Sequence, residues 1–153
     1  MVGVYPLLPD ETCWFLAADF DGPSWQDDIA AFRETCQRQG LPVAIERSRS
    51  GSGGHAWFFF EKAIPAIAAR GFGSLLLTET QDRRPGISFT SYDRLFPNQD
   101  AMPKGGFGNL IALPLQQGGA RPRLHLVPGR CDAPVGRPVG LPRIRAPRRF
   151  GHG

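Results

Sequence analysis

No apolar run in this sequence is long enough to span a bilayer, which argues against a helical membrane protein. The first nine residues lack the basic start of a signal peptide and are broken by Pro6 and Pro9. A cytoplasmic location is the expectation. Cysteine is scarce: Cys13, Cys36 and Cys131 are too few and too far apart for a disulfide framework or a Cys-x-x-Cys zinc site. Cys13 and Cys36 sit beside apolar residues and read as small core fillers. Lys, Ser, Thr, Asn, Gln, Tyr and Trp are all missing after Gln117.

What is present suffices for one domain: 153 residues, 41% of them hydrophobic, can enclose a core. The net charge of +4 is unevenly placed. Residues 1–117 hold 10 Lys and Arg against 13 Asp and Glu, whereas residues 118–153 hold 8 Arg against Asp132 alone. The globular part is therefore mildly acidic, and any contact with nucleic acid there has to come from a local patch. The last 36 residues carry 7 Gly, 6 Pro and 8 Arg without periodicity, too little apolar surface to offset the entropy of ordering them. One reading is a disordered basic tail. The other, favoured by the break in mid-pattern, is a frameshifted segment, since out-of-frame GC-rich codons yield Arg, Pro, Gly and Ala. The organisation expected is thus a globular domain over 1–117, broken off in mid-pattern, and a tail over 118–153.

The stretch Trp14-Phe-Leu-Ala-Ala-Asp-Phe-Asp-Gly22 runs from apolar residues into two carboxylates and a turn, as a buried strand does. Alternation along a strand points Asp19 and Asp21 the same way and Phe20 into the core. Two carboxylates on one face repel unless a hard divalent cation, Mg²⁺ or Mn²⁺, sits between them. The competing reading is a plain Asp-Gly turn.

Ser24 to Gly40 reads as a helix, with Ser24 as N-cap, Asp27 and Asp28 in the first turn and Gly40 as the stop. Trp25, Ile29, Phe32 and Cys36 form its apolar stripe. Residues 41–47 read as a second strand, so a strand–helix–strand α/β layer is expected. A small-residue loop from Ser48 then feeds an aromatic strand ending at Phe60. A helix is expected from Ala63, with Pro65 in its first turn and a continuation to Glu79. Short strands are expected at 87–91 and 109–115.

The loop Ser50-Gly-Ser-Gly-Gly-His55 is the second chemical feature. Accessible N–H groups at Gly51 and its neighbours, hydroxyls of Ser50 and Ser52, and a donor on His55 suit phosphate oxygens. Arg47 and Arg49 add charge of the right sign. The plainer reading is a flexible Gly-Ser loop beside a structural histidine. A metal site and a phosphate site on linked strands strengthen each other, because a metal–nucleotide complex needs both.

Together the segments Asp19-Phe-Asp21, Glu46-Arg-Ser-Arg-Ser-Gly-Ser-Gly-Gly-His-Ala-Trp57, Leu95-Phe-Pro-Asn-Gln99 and Gly106-Phe-Gly-Asn-Leu-Ile-Ala-Leu-Pro-Leu-Gln116 resemble the archaeo-eukaryotic primase superfamily, and most nearly the primase domain of TOTE conflict systems. The resemblance covers roughly residues 3–117. It implies an α/β (α+β) core with an RRM-like catalytic sheet and a metal-dependent primase/polymerase that joins nucleoside triphosphates to a DNA or RNA primer-template. It also implies helicase or nuclease partners encoded nearby. It assigns Asp19 and Asp21 to Mg²⁺ or Mn²⁺, and Ser50 and His55, with Arg49, Gly51 and Ser52 beside them, to the incoming triphosphate. Two departures stand out. Asn98 replaces the usual Lys of the Phe-Pro-x-Gln motif, and residues 118–127 lack the carboxylate of the third acidic motif. A nonenzymatic nucleotide- or nucleic-acid-binding remnant is therefore the alternative. A sugar-nucleotide transferase using Asp-x-Asp is a further one, against which the Gly-Ser-His loop and the Phe-Pro-x-Gln segment argue. Phe107, in its glycine-rich turn, has the option of stacking on a base, and the run Trp57–Phe60 is expected mostly in the core.

Overall fold

A computed structural model describes residues 3–48, 50–86, 90–106, 108–112 and 143–144. In chain order the elements are β1 (Gly3–Val4), β2 (Thr12–Asp21), α1 (Trp25–Arg38), β3 (Ala44–Arg47), β4 (Gly53–Pro65), α2 (Ala66–Arg83), β5 (Tyr92–Phe96), β6 (Ile111–Ala112) and β7 (Arg143–Ile144). The main sheet runs in the order β3-β4-β2-β5, each neighbouring pair antiparallel. β7 lies parallel to β4 at Phe59 and Phe60, and β1 pairs with β6 as a separate antiparallel ribbon.

The expected strand–helix–strand unit is present, but β2 and β3 are not neighbours. β4 lies between them, just as β2 lies between β4 and β5. Two βαβ units are thus interleaved, which makes every pairing along β3-β4-β2-β5 antiparallel and puts both helices on one side. The fold is mixed α/β, with two helices among the described residues.

α1 forms where its stripe predicts. Ile29, Phe32 and Cys36 are buried, Gly40 takes φ +66°, and Leu41 N–H donates to Cys36 O as the helix ends. Ser24 occupies the N-cap, but its hydroxyl donates to the Asp28 carboxylate and accepts from no backbone N–H of the helix. The second helix starts later than expected. β2 holds Ile64 and Pro65 in its ladder, and Ala66 N–H donates to Glu11 O, so Ala63–Pro65 remain extended and the helix begins at Ala66. It then continues past Glu79 to Arg83. Gly73 lets it sit close to the sheet: a Cβ there would lie 2.9 Å from Leu16 and 3.0 Å from Leu95.

Of the strand expected at 87–91, residues 87–89 lie outside the described residues, and β5 runs over Tyr92–Phe96 instead. The strand expected at 109–115 is realised as Ile111–Ala112, with 113–115 outside the described residues. Phe107 and the tail also lie outside them, Arg143–Ile144 excepted.

Alternation along the strands divides two apolar clusters. Leu16, Ala18, Phe20, Ala56, Phe58, Phe60 and Leu95 face the helices and join Ile29, Phe32, Cys36, Ala69 and Leu76. Cys13 and Cys36 are buried free thiols there, and burial pushes them up to about 11 and about 12. The opposite face carries Ala17, Trp57, Phe96 and Ile111, with Phe15 and Phe59 packed against them. Trp57 is 2% exposed and stacks on Phe59 with its ring 4° from parallel, so core packing is its role, as expected. Among the described residues no helix is long and apolar enough to cross a membrane.

Candidate functional site

The face turned away from the helices carries one polar row that crosses all four strands of the β3-β4-β2-β5 path. Glu46 on β3 is opposite His55 on β4, His55 is opposite Asp19 on β2, and Asp19 is opposite Arg94 on β5. Residues directly opposite share a face, so these four side chains form a line. Asp21 follows Asp19 on the same face, about 7 Å further along β2, opposite Gly53. The structure therefore brings Asp19, Asp21 and His55 together at one end of the sheet.

His55 lies between two carboxylates. Its Nε2 is 3.3 Å from Asp19 Oδ1 and its Nδ1 is 3.4 Å from Glu46 Oε2. All three side chains are buried to more than four-fifths. Burial opposes a charge on the ring, but Asp19 and Glu46 outweigh it and push the imidazole up to about 9. The imidazolium is then the form present at neutral pH. Asp19 Oδ1 is buried and accepts no hydrogen bond, since the His55 contact is an ion pair without hydrogen-bond alignment. The Asp21 carboxyl is held above the usual carboxylate range by desolvation first and by the charge of Asp19 second.

The donor chemistry fits a hard divalent cation. Asp19 Oδ1 is buried without an aligned hydrogen bond and meets His55 only as an ion pair, so it keeps capacity for a further electropositive partner. A second carboxylate on the same face, itself reluctant to ionise, asks for the same partner. Mg²⁺-type ions commonly take one or two protein carboxylates and complete their shell with water and phosphate oxygens. Among the described residues, no three ligating side chains gather around one point.

The loop between β3 and β4 is more braced than a flexible Gly-Ser linker. The Arg47 guanidinium donates to Gly51 O at 2.7 and 3.0 Å, so this arginine holds the turn closed. Ser48, Ser50 and Ser52 hydroxyls link in series at 2.9 and 3.0 Å. Gly51 N–H is taken by Ser48 O and Ser52 N–H by Ser50 Oγ, so these two amides serve the turn itself. Arg49 lies outside the described residues. The two glycines that follow have packing reasons. A Cβ on Gly53 would lie 2.0 Å from Asp21 Oδ1, and one on Gly54 would lie 2.7 Å from the Trp25 ring.

Three participants escape a reading of the sequence alone. Glu46 and Trp57 were visible only as part of a motif, although residues 55 and 57 had to share a face by alternation. Trp57 Nε1–H donates to Glu46 Oε2 at 3.0 Å. Arg94 was hidden because β5 shows no apolar alternation and is bulged against β2 between Asp19 and Phe20. Its Nε–H donates to Asp93 at 2.6 Å, and both Asp93 and Arg94 lie close enough for their charges to act on Asp21.

The buried Asp28 anchors this end of the sheet. Its Oδ2 accepts from Ser24 Oγ at 3.0 Å and Ser91 Oγ at 2.6 Å, and Ser91 O in turn accepts from Asp21 N–H at 2.6 Å. The first turn of α1 thereby fixes the backbone that carries Asp21.

Comparison with known proteins places this geometry in context. The family model described as "TOTE conflict system, Archaeo-Eukaryotic Primase domain" matches residues 1–123. A search of curated proteins gave no match.

Proposed function

The chain belongs to the archaeo-eukaryotic primase domain family of TOTE conflict systems, and from that membership we propose that its polar row serves divalent-metal-dependent nucleotidyl transfer. Membership implies primase-type chemistry, with nucleic acid and nucleotides as substrates. The finer reading is a domain over residues 1–117 that joins a nucleoside triphosphate to a 3′-hydroxyl, followed by a noncatalytic tail over 118–153. The interleaved β-α-β-β-α-β order supports an RRM-like catalytic sheet, whose face away from the helices is the one that receives nucleic acid in such folds.

In this reading Asp19 and Asp21 hold Mg²⁺ or Mn²⁺. The cation, when bound, neutralises charge developing on the attacking and leaving oxygens. His55 donates to a triphosphate oxygen, and Ser50 and Ser52 donate from the loop. Gly51, at φ +79°, gives the turn its shape, and Arg49 adds positive charge beside it. The primer 3′-oxygen bonds to the α-phosphorus, the bond from that phosphorus to the bridging oxygen breaks, and pyrophosphate departs. The observation that carries the reading is the register of Asp19 with His55, 3.3 Å apart and on the same face as Asp21.

The test is extension of a labelled primer-template by the full chain with dNTPs or NTPs, in Mg²⁺ or Mn²⁺ and in excess chelator. Divalent-dependent incorporation that disappears in Asp19→Asn supports the reading. One observation favours the second reading, a nonenzymatic binding remnant: residues 118–127, where the third acidic motif is expected, carry no carboxylate. Oligonucleotide or triphosphate binding without incorporation selects it.

A further inference from the structure

The hydrogen bond from Trp57 to Glu46 has no part in the scheme above, and Glu46 itself is assigned no role there. Glu46 is largely buried on β3, an outer strand of the β3-β4-β2-β5 path, and one of its oxygens, Oε2, faces two donors. Trp57 Nε1–H reaches it at 3.0 Å and His55 Nδ1 lies 3.4 Å away. The indole is immobilised by its own packing against Phe15 and Phe59, with ring centroids 5.4 and 6.0 Å apart. The His55 ring meets the Trp57 ring edge-on, at 78° between planes. A rigid aromatic thus fixes a carboxylate, and that carboxylate takes one nitrogen of the histidine. The other nitrogen is left with a single direction, towards Asp19 and the acidic end of the sheet.

We propose that Glu46, held by Trp57, is a positioning residue that fixes the orientation of His55 and so keeps Nε2 beside Asp19, at the end of the sheet where the nucleotide phosphates would lie. This rests on the proposed function for its ligand, but the positioning itself is a property of the protein alone. The arrangement has the logic of an outer hydrogen-bond partner that fixes a working imidazole. Without Glu46, Nδ1 loses its only carboxylate among the described residues, and the ring is held only by Asp19 and the Trp57 ring.

Two measurements on the full chain separate the claims. The first is the NMR signal of the His55 ring nitrogens in metal-free protein. In the wild type a protected Nδ1 proton is expected, and Glu46→Ala abolishes it. Glu46→Gln, which keeps an acceptor oxygen of the same reach, retains ring order in part. The second is equilibrium binding of Mn²⁺-dATP in a cycle of Glu46→Ala, His55→Ala and the double variant. Glu46→Ala alone weakens binding roughly tenfold, the loss of about one charge-assisted hydrogen bond. In the His55→Ala background it adds nothing further.

Unchanged His55 ring signals in Glu46→Ala overturn the proposal, as does an equal loss of affinity with and without His55. A His55 ring loosened by Glu46→Ala, in a protein whose wild type binds no Mn²⁺-dATP, leaves the positioning standing and removes the nucleotide reading instead.

Discussion

Replacing Gly53 by alanine probes the acidic end of the sheet without touching a polar group. Gly53 lies opposite Asp21 on the adjoining strand and its φ is not in the left-handed region, so the backbone accepts any residue. Space is what alanine lacks. The new Cβ would fall 2.0 Å from Asp21 Oδ1 and 2.6 Å from Phe20 O. A carboxylate rotates away at little cost, but a carbonyl in a β-ladder does not. Either the β2–β4 pairing opens at its end or β4 shifts outward, and overpacking of that kind costs about 1–3 kcal/mol. The smaller unfolded-state entropy of alanine returns about 0.4–1 kcal/mol, so net destabilisation of about 1–2 kcal/mol is expected. Gly71→Ala is the control: its Cβ meets nothing within 4 Å, it lies inside α2, and it should stabilise by about 0.5–1 kcal/mol. Urea unfolding of both variants measures the gap, and Mn²⁺ titration should show Gly53→Ala weakened by roughly fivefold for each kcal/mol of displaced carboxylate interaction. A Gly53→Ala protein as stable as wild type, with undiminished Mn²⁺ binding, would refute the close approach of Asp21 to Gly53.

His55 makes metal-free stability depend on pH. Its folded pKa, about 9, exceeds its unfolded value of 6.5, so its contribution is fully present below pH 6.5 and is lost as pH rises through about 9. The size is on the order of 3 kcal/mol. Urea unfolding in chelator at pH 6 and pH 10, compared between wild type and His55→Asn, isolates it from the buried thiols Cys13 and Cys36, which lose stability in the same alkaline range in both proteins. Equal pH dependence in the two proteins would contradict the charged pocket. Asp28→Ala strands the buried Ser91 hydroxyl, while Ser24 keeps Thr90 as a partner, and should cost about 1–3 kcal/mol in the same unfolding assay. It should also weaken Mn²⁺ binding, because Ser91 O holds the Asp21 N–H. Gly73→Ala should destabilise by about 1–3 kcal/mol, since its Cβ meets Leu16 and Leu95 on the sheet, and thermal melting reads this directly.

Much of this site was legible in the sequence wherever a short-range pattern carries the information. The apolar run into Asp19 and Asp21 and the 3.6-residue stripe of α1 each reflect a single element's own periodicity. The start of α2 was misplaced because local preference gives Ala63–Pro65 to a helix while the ladder with Thr12 and Cys13 claims them for the sheet. β5 was missed because its exposed residues Asp93 and Arg94 interrupt alternation, and only pairing with β2 makes it a strand. Strand register is the part that a single sequence does not encode locally. The row Glu46–His55–Asp19–Arg94 draws one residue from each of four strands, so Glu46 and Arg94 acquire their meaning only once those strands are aligned. The Gly-Gly pair before His55 reads in the sequence as exposed N–H groups for phosphate or as a flexible loop, whereas the room it leaves for Asp21 and Trp25 is a tertiary requirement.

The central claim is that the two aspartates and the histidine act on one metal–triphosphate. Equilibrium binding of dATP to the full chain, measured with Mn²⁺ and with excess chelator, tests it most directly when repeated for Asp19→Asn and His55→Ala. The expected result is binding that requires the divalent ion and falls at least tenfold in each variant. Binding that persists in chelator, or that survives the loss of Asp19, would contradict a shared site.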